Sequence, residues 1–191
     1  KQRIELAMCA ARSVAQGYEG MVHSKVRPAP KLLDESLRRI LEDNPAFSGI
    51  WVLVEPETLL DDFYAPWFYR DQGTIVSEPS ETLEDFQDGT SQDYYKLPML
   101  AKQEVLLEPY LDEQINVLMT SATVPVVVEG RCIGVVGIDL NLSALTEAIN
   151  KIRPYETGIA SLISNSGKYV AYPDASKVNS DIGNSADLEA A

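Results

Sequence analysis

No stretch of about 18 consecutive apolar residues occurs in the 191-residue chain, so nothing in it reads as a membrane-spanning helix. Histidine is nearly absent: His23 is the single example, which leaves no His-based catalytic triad. Two cysteines, Cys9 and Cys132, make no disulfide framework. No His/Cys spacing suits zinc, and neither a metal nor a cofactor is expected. Both cysteines sit in apolar-looking segments and read as small buried hydrophobes. Basic residues are scarce, 16 Lys and Arg against 29 Asp and Glu, for a net charge of −13. Phosphate backbones and anionic membrane surfaces are held by clustered Lys and Arg, so neither is an expected partner. No Gly-rich phosphate loop is present. What remains is ordinary for a globular protein: 45% apolar and 24% charged residues. The acidic surplus suits a cationic ligand, although a solubilising surface is sufficient cause for it.

Residues 4–22 carry Ile4, Met8, Ala11, Ala15, Tyr18 and Val22 at helical spacing. Lys1-Gln2-Arg3-Ile4 opens inside that pattern without a cap and no signal peptide is visible, so a fragment of a longer protein is expected. Pro28 and Pro30 interrupt the helix. A second follows with Leu33, Leu37, Ile40 and Leu41 on one face, stopping at Asn44-Pro45. The period then changes. Ile50-Trp51-Val52-Leu53-Val54 reads as a buried strand and Thr74-Ile75-Val76 as a weaker one. Residues 77–93 are polar and acidic, and read as a loop or lid.

Val117–Val128 and Cys132–Ile138 read as an antiparallel hairpin turning at Glu129-Gly130. Gly134 and Gly137 lack side chains, so close packing of another group is expected there. Ser143 is expected to cap a helix carrying Leu145, Ala148, Ile149 and Ile152. Residues 159–163 and 168–172 form a further hairpin around Asn165-Ser166-Gly167. The expected fold class is α+β, a long N-terminal helix beside an antiparallel sheet, followed by the start of a second sheet.

Five stretches, in order, resemble the double-Cache sensor family of bacterial chemoreceptors and related kinases. They are Tyr94-Tyr95-Lys96-Leu97-Pro98, Glu108-Pro109-Tyr110-Leu111-Asp112, Leu118-Met119-Thr120-Ser121 with Pro125, Gly134–Leu140, and Ile163–Gly167 with Tyr172-Pro173-Asp174. The resemblance implies PAS-like Cache modules stacked on a long helix, with the ligand in the membrane-distal one. It places the two N-terminal helices at 1–48, the distal ligand-binding module at 49–142, a linking helix at 143–156, and the start of an incomplete membrane-proximal module at 157–191. It also implies an extracytoplasmic, periplasmic sensor whose parent is anchored in the membrane, and a homodimer through the N-terminal helix.

A small-molecule site needs an apolar shell with a few convergent polar groups. Residues 63–70 are the most aromatic segment and contribute Trp67, Tyr69 and Arg70; Tyr94, Tyr95 and Tyr110 add phenols, and Asp112 and Asp139 add carboxylates. Aromatic faces attract amines, and a buried carboxylate needs a partner, which a ligand ammonium would supply. Amino-acid-binding members of the family carry a carboxylate-clamping arginine just before the aromatic pair. Here that neighbourhood is Ser91-Gln92-Asp93, without arginine, and Arg70 is the available substitute. The pattern therefore favours a small amine. An amino acid, or a purine stacked on Trp67 and Tyr94, stays open. Taken singly these residues also have plain structural roles: Trp67 as core, Asp139 as a helix-entry residue.

Two rivals remain. An enzyme built on Glu108, Asp112 and Asp139 as an acid pair lacks a nucleophile, and no catalysis is expected. A module that only dimerises through its first helix would bind no ligand.

Overall fold

Apolar spacing and proline punctuation set the helices. The computed structural model describes residues 2–88, 93–112, 115–155 and 157–183. Helix α1 (Gln2–His23) buries Ala7, Ala11, Ala15 and Tyr18. Cys9 lies off that narrow stripe and is exposed, contrary to the sequence expectation. Helix α2 (Pro30–Asp43) starts with proline at its first position, where the missing N–H is harmless. It buries Leu33, Leu37 and Leu41.

Strands β1 (Gly49–Val54), β2 (Pro66–Asp71) and β3 (Thr74–Pro79) follow. Two short helices, α3 (Leu83–Gln87) and α4 (Asp93–Ala101), precede β4 (Val105–Leu106) and β5 (Tyr110–Asp112). Strands β6 (Val117–Val128) and β7 (Arg131–Asn141) make the expected hairpin. Its turn residues Glu129 (φ 51°) and Gly130 (φ 79°) are both left-handed, as a two-residue turn matched to strand twist requires. Helix α5 (Ser143–Asn150), β8 (Leu162–Ile163) and β9 (Tyr169–Ala171) complete the described elements.

The chain divides into two compact units: residues 1–107 with 121–140, and residues 108–120 with 141–191. In the first, the strand order is β3-β2-β1-β7-β6-β4. Strand β1 pairs antiparallel with β2 and β7, β2 with β3, and β4 with β6. One sheet face joins α1 and α2 in a single core through Ile50, Val52, Val54, Phe68, Val124 and Ile138. In the second unit β5 pairs with residues 117–119 and β8 with β9.

Several elements differ from the sequence reading. The aromatic segment contains β2, a strand the reading missed because its residues fill both faces and leave no polar alternation. Residues 77–93 are not simply a loop: β3 extends to Pro79, and Thr82 caps α3 by accepting the Asp85 N–H at 3.1 Å. Ser143 does not cap α5. It is the first helical residue, and Asn141 Oδ1 accepts its N–H at 2.7 Å. Leu145, expected on the inner face of α5, lies outside the described side chains, and Ser91 and Gln92 lie outside the described residues.

Candidate ligand site

Antiparallel register places Gly49 and Trp51 of β1, Trp67 and Tyr69 of β2, and Gly137 and Asp139 of β7 on the sheet face away from α1 and α2. Tyr69, Gly49 and Asp139 are directly opposite one another across three strands, and so are Trp67, Trp51 and Gly137. The two glycines make this arrangement possible. A Cβ on Gly137 would fall 2.0 Å from the Trp51 ring, and one on Gly49 would fall 2.5 Å from Asp139 Oδ2 and 2.8 Å from Trp67 Nε1. The indoles therefore lie over bare backbone, and the expectation of close packing at Gly137 holds.

Asp139 is the centre. It is 1% exposed. Trp51 Nε1 donates to Oδ1 at 3.0 Å, Trp67 Nε1 donates to Oδ2 at 3.0 Å, and Ser121 Oγ donates to Oδ1 at 2.6 Å. The carboxylate is thus held by the protein's own neutral donors. The sequence reading asked for a partner to this carboxylate, and these three donors supply hydrogen bonds from within the protein. Trp67 stacks on Tyr69 with ring centres 4.1 Å apart. From α4, Tyr94 meets Trp51 edge-on at 4.9 Å.

The phenols lead outward to more carboxylates. Tyr69 Oη donates to Glu78 Oε1 at 3.3 Å, and Tyr94 Oη donates to the Ser80 carbonyl at 3.0 Å. Burial pushes the Tyr94 phenol well above its ordinary pKa, and the negative charges of Glu81, Asp139 and Asp85 push it further. Those neighbours make the surroundings of Tyr94 electronegative. Glu78 and Glu81 also line a cleft of about 350 Å³ at the β2–β3 edge, with Asp34, Tyr64, Ser77 and Pro79. Tyr95 is 3% exposed, and its hydroxyl has no hydrogen-bond partner among the described residues.

The remaining sequence candidates part from this centre. Arg70 follows Tyr69 and so points to the opposite face, because strand side chains alternate. Its Nε donates to the Phe47 carbonyl at 3.0 Å, and another of its nitrogens donates to the Leu41 carbonyl near the end of α2. It tethers a helix end and does not replace the missing clamp. Arg70→Ala is expected to lose about 1.5–3 kcal/mol through those charged hydrogen bonds, with ligand affinity unchanged. Thermal melting paired with calorimetric titration checks both halves. Tyr110 and Asp112 belong to the second unit; Asp112 Oδ1 accepts the Ile115 N–H at 3.2 Å.

Sequence reasoning missed Trp51 and Ser121. The signal available for Trp51 was the pair of glycines at 49 and 137, whose register against it is a long-range property. Glu78 and Glu81 were hidden in the segment read as a loop.

Burial also raises the phenols of Tyr18, Tyr64 and Tyr95. A group whose pKa is raised on folding contributes stability below its unfolded pKa and loses it as pH rises. Stability is therefore expected to fall above about pH 10, the unfolded tyrosine value. In an alkaline titration, phenolate absorbance from these four of the nine tyrosines should appear with unfolding. Early, independent ionisation of all nine would contradict the packing.

A helix-backed antiparallel sheet with an aromatic and carboxylate centre on its other face has the build of a receptor sensor module. Residues 33–147 match the family described as methyl-accepting chemotaxis protein-like, first PDC sensor domain, and the chain belongs to that family. Among curated proteins, it is 29% identical over 147 residues to the methyl-accepting chemotaxis protein PctB of Pseudomonas aeruginosa. That alignment covers 77% of this chain and 23% of the receptor, so the chain spans about a quarter of such relatives. Among solved structures, Methyl-accepting Chemotaxis protein X superposes with a TM-score of 0.80 at 22% identity, over 99% of this chain and 74% of the other. The ligand-binding domain of the P. aeruginosa amino acid chemoreceptor PctC, in complex with GABA, gives 0.59 at 21% identity, over 89% and 69%. These two likenesses show the α+β sensor fold. The chain is a sensor domain of the chemotaxis-receptor type, and no described helix is long and apolar enough to cross a membrane.

Proposed function

We propose that this chain is the extracytoplasmic, periplasmic part of a transmembrane chemotaxis or signal-transduction receptor, and that it binds a small amine or related nitrogen-containing metabolite at the Asp139 centre. It catalyses nothing in this reading. The ligand-binding module is residues 49–142, residues 157–191 begin the membrane-proximal module, and α1 carries a homodimer contact. Tyr110 and Asp112 stay within the proposal on the resemblance alone.

One observation carries the choice of ligand. Asp139 is a buried carboxylate on the aromatic face of the sheet, accepting from Trp51, Trp67 and Ser121. Burying a carboxylate is costly, and a cation arriving beside it recovers part of that cost. The acidic neighbours of Tyr94 add to the attraction. An amino acid is the second reading, favoured by the GABA bound to PctC. It needs a clamp for the ligand carboxylate, and Arg70 is engaged elsewhere.

The test is thermal shift of the chain against amines, amino acids and purines. A binder raises stability by about 2.7 kcal/mol at a hundredfold excess over Kd. Amines are expected to be the responding class. A shift with purines alone, or no shift with any class, would reject the proposal.

A further inference from the structure

We infer that Glu19 couples helix α1 to the sheet: its carboxylate, with the Arg12–Glu104 ion pair, sets the axial register of α1 against the β4–β6 edge, and a shift of β6 passes to the helix through it. The path from ligand to β6 rests on the amine reading above; the register does not.

Two contacts define the register. Glu19 Oε1 accepts the Val127 N–H at 2.8 Å, and Arg12 donates to Glu104 Oε2 at 2.7 Å. Arg12 and Glu19 are seven positions apart, so they share one side of α1, about 10 Å apart along its axis. Val105, next to Glu104, pairs with Thr123. Thr123 precedes Val127 by four positions, about 13 Å of extended strand. The two spacings match, so α1 runs alongside β6 and is tied to that edge at two heights.

The edge itself calls for such a tie. Strand β4 pairs with β6 only at Ala122 and Thr123. Beyond them Pro125 has no N–H, and Val127 presents an edge donor that a carboxylate satisfies through a charge-assisted bond.

Packing leaves the register to these ties. Helix position is normally fixed by side-chain ridges seated in facing grooves. The buried residues of α1 are Ala7, Ala11, Ala15 and, as the one large side chain, Tyr18. An alanine row makes a smooth contact that resists axial displacement weakly. Ser121 on β6 donates to Asp139 at 2.6 Å, so the ligand centre and the Glu19 contact are joined by one continuous strand. Helix shifts of about 1–2 Å are a common form of switching movement.

Double electron–electron resonance between spin labels on Cys9 and on Glu129→Cys reads the register. Cys9 is exposed and Cys132 buried, so the folded chain takes the label at Cys9, and Glu129 is exposed at the β6–β7 turn. Dilution with unlabelled chain removes distances between protomers. The labelled parent is expected to give one narrow distance. Arg12→Ala combined with Glu19→Ala is expected to broaden it or to move its centre by about 1.5 Å or more, one residue's rise. Glu19→Ala alone is expected to do so to a smaller extent. Glu19→Gln, whose amide oxygen still accepts the Val127 N–H, is expected to keep the parent distance. An unchanged distance in both alanine variants, with circular dichroism showing the fold intact, would overturn the inference. So would a shift with Glu19→Gln equal to that with Glu19→Ala. Saturation with the amine that gives the largest thermal shift is expected to move the parent distance but not that of Glu19→Ala, at equal calorimetric affinity. Equal movement in both would remove Glu19 from the path, and the ligand-free distances stand apart from the amine reading.

Discussion

Asp139→Asn is expected to weaken a cationic amine by a hundredfold or more. The substitution keeps the side chain's shape and removes its charge. A cation held beside a buried carboxylate loses its counter-charge, and breaking such a pair commonly costs 3–5 kcal/mol. At about 1.4 kcal/mol per tenfold, two orders of magnitude is the lower end. The unliganded protein should change much less, because two effects oppose each other. One donor among Trp51, Trp67 and Ser121 loses its acceptor, since an amide presents an NH2 group where the carboxylate had oxygen. Against that, the desolvation cost of a buried charge is gone. The melting temperature should move by no more than about 4 °C, the response of a chain this size to roughly 1 kcal/mol. Calorimetry gives the affinity and scanning fluorimetry the melt. An unchanged affinity would make Asp139 a structural residue only.

The second large effect is expected from Gly137→Ala. The added methyl would lie 2.0–2.5 Å from Trp51 ring atoms. Neither the strand backbone nor an indole pinned to Asp139 yields easily, so the ring must lift. Overpacking of this kind costs about 1–3 kcal/mol. A displaced Trp51 also withdraws its N–H from Asp139, leaving a buried carboxylate short of a donor, for about 1–3 kcal/mol more. A melting temperature lowered by several degrees, together with at least tenfold weaker amine binding, is the expected pair. Gly17→Ala is the control. Gly17 sits mid-helix in α1 with nothing within 4 Å of its added methyl, and alanine should stabilise there by up to about 1 kcal/mol. Equal melting curves for the Gly137 variant and the parent would refute the close approach.

The parts of the fold that were legible are those whose signal is local. Leu33, Leu37 and Leu41 announce a helix face by spacing alone, and all three are buried. The β6–β7 hairpin is announced by two β-rich runs around Glu129-Gly130. Strand β2 was not legible, because Trp67-Phe68-Tyr69 puts large rings on both faces and gives no period of two. The site was legible only in part for a related reason. Trp67, Tyr94 and Asp139 carry chemistry in their own side chains. Trp51 gains its role from facing Gly137 across a strand pair 86 positions distant in numbering, which no local pattern announces. Arg70 shows the reverse case: its chemistry suggested a clamp, while strand alternation sends it toward the carbonyls of Leu41 and Phe47.

The chain holds two tryptophans, and both donate to Asp139. Intrinsic tryptophan emission therefore reports on the proposed site and on nothing else in the protein. Titration of the chain with the amine that gives the largest thermal shift, followed by that emission, is the most direct test of the central claim. A saturable change in intensity or wavelength, with a midpoint matching the calorimetric Kd and lost in Asp139→Asn, is the predicted result. Calorimetric binding that leaves the emission unchanged would place the ligand elsewhere and contradict the account.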